Sequence, residues 1–108
     1  MPLYQTVTYT TTGTKQSLNL DSSIAAFNAQ IAVTLTAGTA SYKLQYSLTP
    51  FTIADASANW FDSADIPTGT STSAVTVFAA PVERVRLIIA ALSGGSLILE
   101  ASQGISAN

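Results

Sequence analysis

The feature that most constrains this chain is a two-residue alternation, repeated and interrupted by turn residues. It is clearest in Ser41-Tyr42-Lys43-Leu44-Gln45-Tyr46-Ser47-Leu48. There Tyr42, Leu44, Tyr46 and Leu48 fall on one side, and Lys43, Gln45 and Ser47 on the other. Side chains of an extended strand point to opposite faces in turn, so this pattern fits a half-buried strand and no helix. Ile31, Val33 and Leu35 repeat it, as do Val85, Leu87 and Ile89. Gly38-Thr39-Ala40 and Ser93-Gly94-Gly95-Ser96 read as tight hairpin turns joining neighbouring strands. Ala74–Ala79 and Leu97–Ser102 add further strands, and Thr11–Thr14 is a turn or loop.

The segment before Gln30 is ambiguous between one helical turn capped near Asp21 and an edge segment. Residues 49–72 lose the alternation. Pro50 and Pro67 punctuate them, and Trp60-Phe61 lie between. They form the longest irregular stretch, with Thr68–Ser73 as its mobile tip. The expected fold is all-β, a single β-sandwich or jelly-roll-like domain of about seven to eight short antiparallel strands. Residues 1–14 form an N-terminal arm or edge strand, and residues 15–108 the sandwich. A strand face that is apolar on both sides needs a cover. Ile88 and Ile98, between inward-facing neighbours, therefore mark a closed barrel end or a covered outer face.

Composition narrows the function. The 108 residues hold no His, no Cys and ten charged side chains, or 9%, while Ser and Thr fill 28 positions. Average domains carry about 25% charged residues. A Ser–His pair is unavailable, and neither Lys15 nor Lys43 sits in a Ser-x-x-Lys context. Asp55, Asp62 and Asp65 have no calcium-loop spacing and read as turn-capping loop acids. Gly94-Gly95 is no phosphate loop. The expectation is a non-enzyme with no cofactor and no metal. Four cations, Lys15, Lys43, Arg84 and Arg86, are too few to track phosphates, so no direct nucleic-acid contact is expected. Neither a secretory leader nor a membrane span is expected from the sequence. Low charge also lowers the desolvation cost of being covered by a partner.

Contact candidates follow from these patterns. Leu3, Tyr4, Val7 and Tyr9 lie on the N-terminal strand, a candidate to join a neighbour's sheet edge. Trp60 and Phe61 form an aromatic pair that reads as a lid over the core, an interface anchor or a sugar platform. Arg84 and Arg86 share one strand face, either solvated or reaching acids on a neighbouring subunit.

The order of these features resembles small β-sandwich virion proteins of tailed bacteriophages. The resemblance covers residues from about 30 to 103. In those proteins an x-Gln-Tyr-Ser strand, a Trp-containing loop and a Pro-Val-Arg-x-apolar-Arg-Leu strand recur in order. Here Gln45-Tyr46-Ser47, Trp60-Phe61-Asp62 and Pro81-Val82-Glu83-Arg84-Val85-Arg86-Leu87 stand in their places. Two departures are Glu83 within the Pro-Val-Arg run and Leu48-Thr49-Pro50 where acids are frequent. The resemblance implies a capsid decoration, or cement, protein that binds the major capsid protein and stabilises the head. It implies a homo-oligomer, with a trimer favoured, on the outer virion surface after synthesis in the host cytoplasm. The alternatives are a head–tail connector or tail component, or a carbohydrate-binding β-sandwich module.

Overall fold

The described residues fold as a β-sandwich of nine strands. The computed structural model describes residues 3–20, 28–50, 52–79 and 81–103, with Leu3 described by its backbone alone. The strands are β1 (Leu3–Tyr9), β2 (Gly13–Thr14), β3 (Leu18–Asn19), β4 (Ala29–Leu35), β5 (Thr39–Ser47), β6 (Trp60–Asp62), β7 (Ala74–Phe78), β8 (Arg84–Ser93) and β9 (Leu97–Gln103). One sheet runs β1-β9-β4-β7; the other runs β2-β8-β5-β6, with β3 also paired to β8. All pairings are antiparallel. The helix-or-edge question before Gln30 falls on residues 21–27, outside the described residues.

Alternation builds the core. Ile31 and Val33 of β4 and Leu97, Leu99 and Ala101 of β9 face Tyr42 and Leu44 of β5 and Val85, Leu87 and Ile89 of β8, all at most 2% exposed. These are the inner faces of the two sheets, packed as a sandwich requires. Among the described residues no buried side-chain nitrogen or oxygen lacks a hydrogen bond. No helix among them is long and apolar enough to cross a membrane.

Three sequence expectations change. First, Gly38-Thr39 and Ser93–Ser96 are not hairpin turns. β4 and β5 lie in different sheets, as do β8 and β9. Both connections are arches that carry the chain over the core. They stack at one end, where the Thr36 amide donates to the Ser96 carbonyl at 3.0 Å. Second, Trp60 and Phe61 are on a strand, β6, against Ser47 and Tyr46. The segment after it continues along β5. The Ser63 amide donates to the Leu44 carbonyl, the Leu44 amide to the Ile66 carbonyl, and Tyr42 and Thr70 exchange two bonds. Thr70 thus anchors the stretch read as a mobile tip. Ile66, 0% exposed, plugs the core from within it. Third, of the arm and the edge strand offered for the N-terminus, residues 3–9 form the edge strand: β1 ends its sheet and pairs with β9 along its whole length, from Leu3 opposite Gln103 to Tyr9 opposite Leu97.

Candidate interaction surface

The outer face of the β5/β8/β6 sheet carries a polar network. Arg84 sits at the base of β8, its side chain 3% exposed. Its Nη1 donates to Asp55 Oδ1 at 2.6 Å, its Nη2 to the carbonyls of Pro50 and Ile53, and its Nε to that of Thr49. Among its described residues the loop after β5 carries one 3-10 turn, Asp55–Ser57, as its regular structure. Its backbone acceptors are therefore met by one guanidinium. Burial raises the Asp55 carboxyl. Two hydrogen bonds from Ser17, through its hydroxyl and amide, together with Arg84 outweigh that effect and hold it below its ordinary range.

Arg86, two residues on, is placed otherwise. Its guanidinium carbon lies 4.0 Å from the centre of the Trp60 ring. Its Nε donates to Gln45 Oε1 at 2.9 Å, and Gln45 Nε2 donates to Asp62 Oδ1 at 2.8 Å. Lys43 closes the row with its ammonium 3.3 Å from that same oxygen. Hydrogen bonds from Gln45 and Lys43 lower the Asp62 carboxyl. Burial lowers the Arg86 guanidinium slightly against the pull of Asp55. Trp60 Nε1 donates to the Asp55 carbonyl at 2.9 Å. Replacing Arg86 by Met removes the nearer of two guanidiniums at the chain's one Trp, since that of Arg84 stays 5.7 Å from the ring. We expect a changed Trp60 emission maximum with stability lowered by only about 0.5–1 kcal/mol. An unchanged emission spectrum contradicts this stacking.

The remaining candidates scatter. Tyr4 is 59% exposed on the outer face of β1, and its hydroxyl donates to Glu100 Oε2 at 2.7 Å, which raises its pKa. Val7 and Tyr9 face inward, opposite Leu99 and Leu97. Burial raises the Tyr9 phenol. Both are half-buried, and Tyr9 packs against the core. Leu3 is described by its backbone alone. Ile98 is half-buried on the outer face between Thr8 and Thr34, and Ile88 lies between Thr14 and Lys43. Neighbouring side chains in the same sheet screen these two, so neither marks a barrel end. Arg84 is engaged inside the chain and leaves no guanidinium for a neighbour.

The structure gathers exposed apolar side chains elsewhere, on the flank where β6 and β7 form facing sheet edges. Val75 is 63% exposed, Leu48 56%, Val77 49% and Phe61 49%. Only Phe61 of these was expected. Behind them runs an aromatic row: Tyr46 lies 5.7 Å from Phe61 and 5.2 Å from Phe78, centre to centre. A groove of about 460 Å³ opens beside it, lined by Tyr46, Leu48, Phe78 and Val82 with Asp62 and Asp65 at its rim. The sandwich is tied on the opposite flank, where Gln5 Nε2 donates to the Asn19 carbonyl at 2.7 Å. Among the described residues no three His, Cys, Asp or Glu side chains are grouped to hold a metal ion.

No protein-family profile and no curated protein matches the chain. A solved structure described as "Bacillus endospore appendages form a novel family of disulfide-linked pili" aligns over 98% of this chain and 88% of that one. Identity is 12% and the TM-score 0.43, too loose to assign anything here. The disulfide linkage of those pili is closed to these 108 residues, which contain no Cys.

Proposed function

We propose that this chain is a non-enzymatic structural subunit of a virus particle. In this reading it is a decoration protein seated on the major capsid protein through the β6/β7 flank. The observation that supports the reading is the cluster of Val75, Val77, Leu48 and Phe61 on one flank, all between 49% and 63% exposed. Solvated faces of antiparallel sheets are ordinarily polar, and a contiguous exposed apolar patch marks an interaction site. The β7 run Ala74-Val75-Thr76-Val77-Phe78 contains no charge, Pro or Gly. Edge strands left free of those residues are open to pairing with another chain. Repetition over a lattice turns such modest patches into firm attachment through avidity.

The test is to mix purified protein with particles stripped of it, sediment them and count bound copies. Saturable binding at a number set by the capsid's symmetry axes is expected, and that number reads the oligomer. A handful of copies per particle moves the protein to a neck or tail position. No binding discards the virion role and returns a sugar-binding module to first place. Val77→Lys, a surface change expected to move stability by no more than about 0.5 kcal/mol, should weaken particle binding at least about tenfold.

A further inference from the structure

We infer that the β6/β7 groove takes an extended, uncharged-cored segment with a Lys or Arg at its end, from a different protein, which adds to the sandwich as a strand along β7. This deepens the reading of the flank as a protein-binding surface and rests on it.

Three observations select that occupant. β7 ends its sheet: one side pairs with β4 from Ala29–Phe78 to Val33–Ala74, and no described strand lies on the other. Its free backbone groups call for an extended peptide, since only a strand offers donors and acceptors at the matching spacing. The groove beside β7 then receives alternate side chains. Tyr46 and Phe78 give it an aromatic wall, and Leu48 and Val82 add aliphatic surface, so those side chains are apolar. Charge fixes the end. No Lys or Arg lines the groove, while Asp62 and Asp65 do. Asp62 already faces Lys43 at 3.3 Å. Asp65 receives the Thr76 hydroxyl at 2.7 Å and, among the described residues, takes part in no ion pair. A cation on the incoming strand completes it, and an acid there is repelled.

A second copy of this chain supplies that cation poorly. Arg84 is buried on Asp55, Arg86 lies on Trp60, and Lys43 holds Asp62. Lys15 binds the Thr11 hydroxyl and the Thr12 carbonyl. The segment therefore belongs to another protein.

Isotope-labelled full-length chain, titrated with the peptide Lys-Val-Thr-Val-Thr-Val-Lys and followed by amide NMR, tests this. Saturable shifts centred on residues 74–78, with slowed exchange of their amides, are expected. The peptide Glu-Val-Thr-Val-Thr-Val-Glu should bind about tenfold more weakly, and Lys-Val-Pro-Val-Pro-Val-Lys, whose two prolines each remove a backbone donor, more weakly still. Asp65→Asn should bring the Lys and Glu peptides close to parity, and Val77→Lys should abolish binding of the first. Absence of saturable shifts overturns the inference, as do shifts centred on β1 or equal binding of acidic and basic peptides. Shifts at residues 74–78 that follow protein concentration without peptide also overturn it, by giving the edge to a second copy. Peptide binding alongside a failure to bind stripped particles removes the virion role and keeps the groove. Full particle binding by Val77→Lys does the reverse.

Discussion

Gly38→Ala unfolds much of this protein's stability margin. A β-carbon at Gly38 falls 2.0 Å from the Ser93 carbonyl oxygen and 2.8 Å from the Gly94 carbonyl carbon. Both are backbone atoms of the second arch, so no side chain can swing aside. Gly38 also has φ +72°, a left-handed conformation that L side chains resist. The conformational part costs about 1–2 kcal/mol and the overlap about 1–3 more. A fall in melting temperature of at least about 10 °C follows for a domain of this size. Gly69→Ala is the control: φ is +87°, but nothing lies within 4 Å, so only the conformational part applies. Gly95 mirrors Gly38, since its β-carbon meets the Ala37 carbonyl oxygen at 2.1 Å. Each substitution forces the same two arches apart. The double variant is therefore expected to lose less than the sum of the singles, and strict additivity contradicts the shared contact.

Those arches also mark where sequence reading stops. The alternation from Tyr42 to Tyr46 gives the strand and its inward face, because it is a local property of the extended chain. Which strands lie beside β5 is decided by pairing with β6, beyond an irregular loop, and with β8, farther still along the chain. A left-handed Gly between two strands looks the same whether the chain doubles back in one sheet or crosses to the other. Likewise, Ile66 interrupts no pattern and announces nothing. It enters the core because Ser63, Ile66 and Thr70 borrow the hydrogen bonds of β5.

The candidate surface was legible in part. Phe61 was visible as an aromatic outside a regular apolar face. Val75 and Val77 carried a signal too: in Ala74–Phe78 nearly every position is apolar or β-branched. The argument applied to Ile88 and Ile98 holds there with more force, since no described strand lies beyond β7 to screen its outer face. Leu48 continues the inner alternation of β5, and only its place one residue beyond the strand end exposes it. Arg84 and Arg86 are indistinguishable by pattern, sharing one face of one strand. The carbonyls of Thr49, Pro50 and Ile53 turn to the first and not to the second.

That difference sets the second large effect. Arg84→Met should cost about 3 kcal/mol, because it leaves Asp55 without its cation and strips donors from the carbonyls of Thr49, Pro50 and Ile53. Arg84→Lys should recover little, since one ammonium cannot span acceptors that a planar fork reaches together. Arg86→Met, losing a half-exposed stack, should cost far less, and equal losses at the two positions contradict the division of labour. Acid separates the parts further. The folded-state pKa of Asp55 lies below its unfolded value of about 3.9, so its contribution is fully present above that pH. It is lost as pH falls through the folded value, when the carboxylate takes up a proton and Arg84 loses its anion. Chemical denaturation from pH 7 down to pH 2 should therefore give a steeper acid decline for the wild-type chain than for Asp55→Asn, which starts lower and has no such proton to gain. Parallel declines would assign the acid sensitivity to other carboxylates and leave Arg84 acting through its three backbone carbonyls alone.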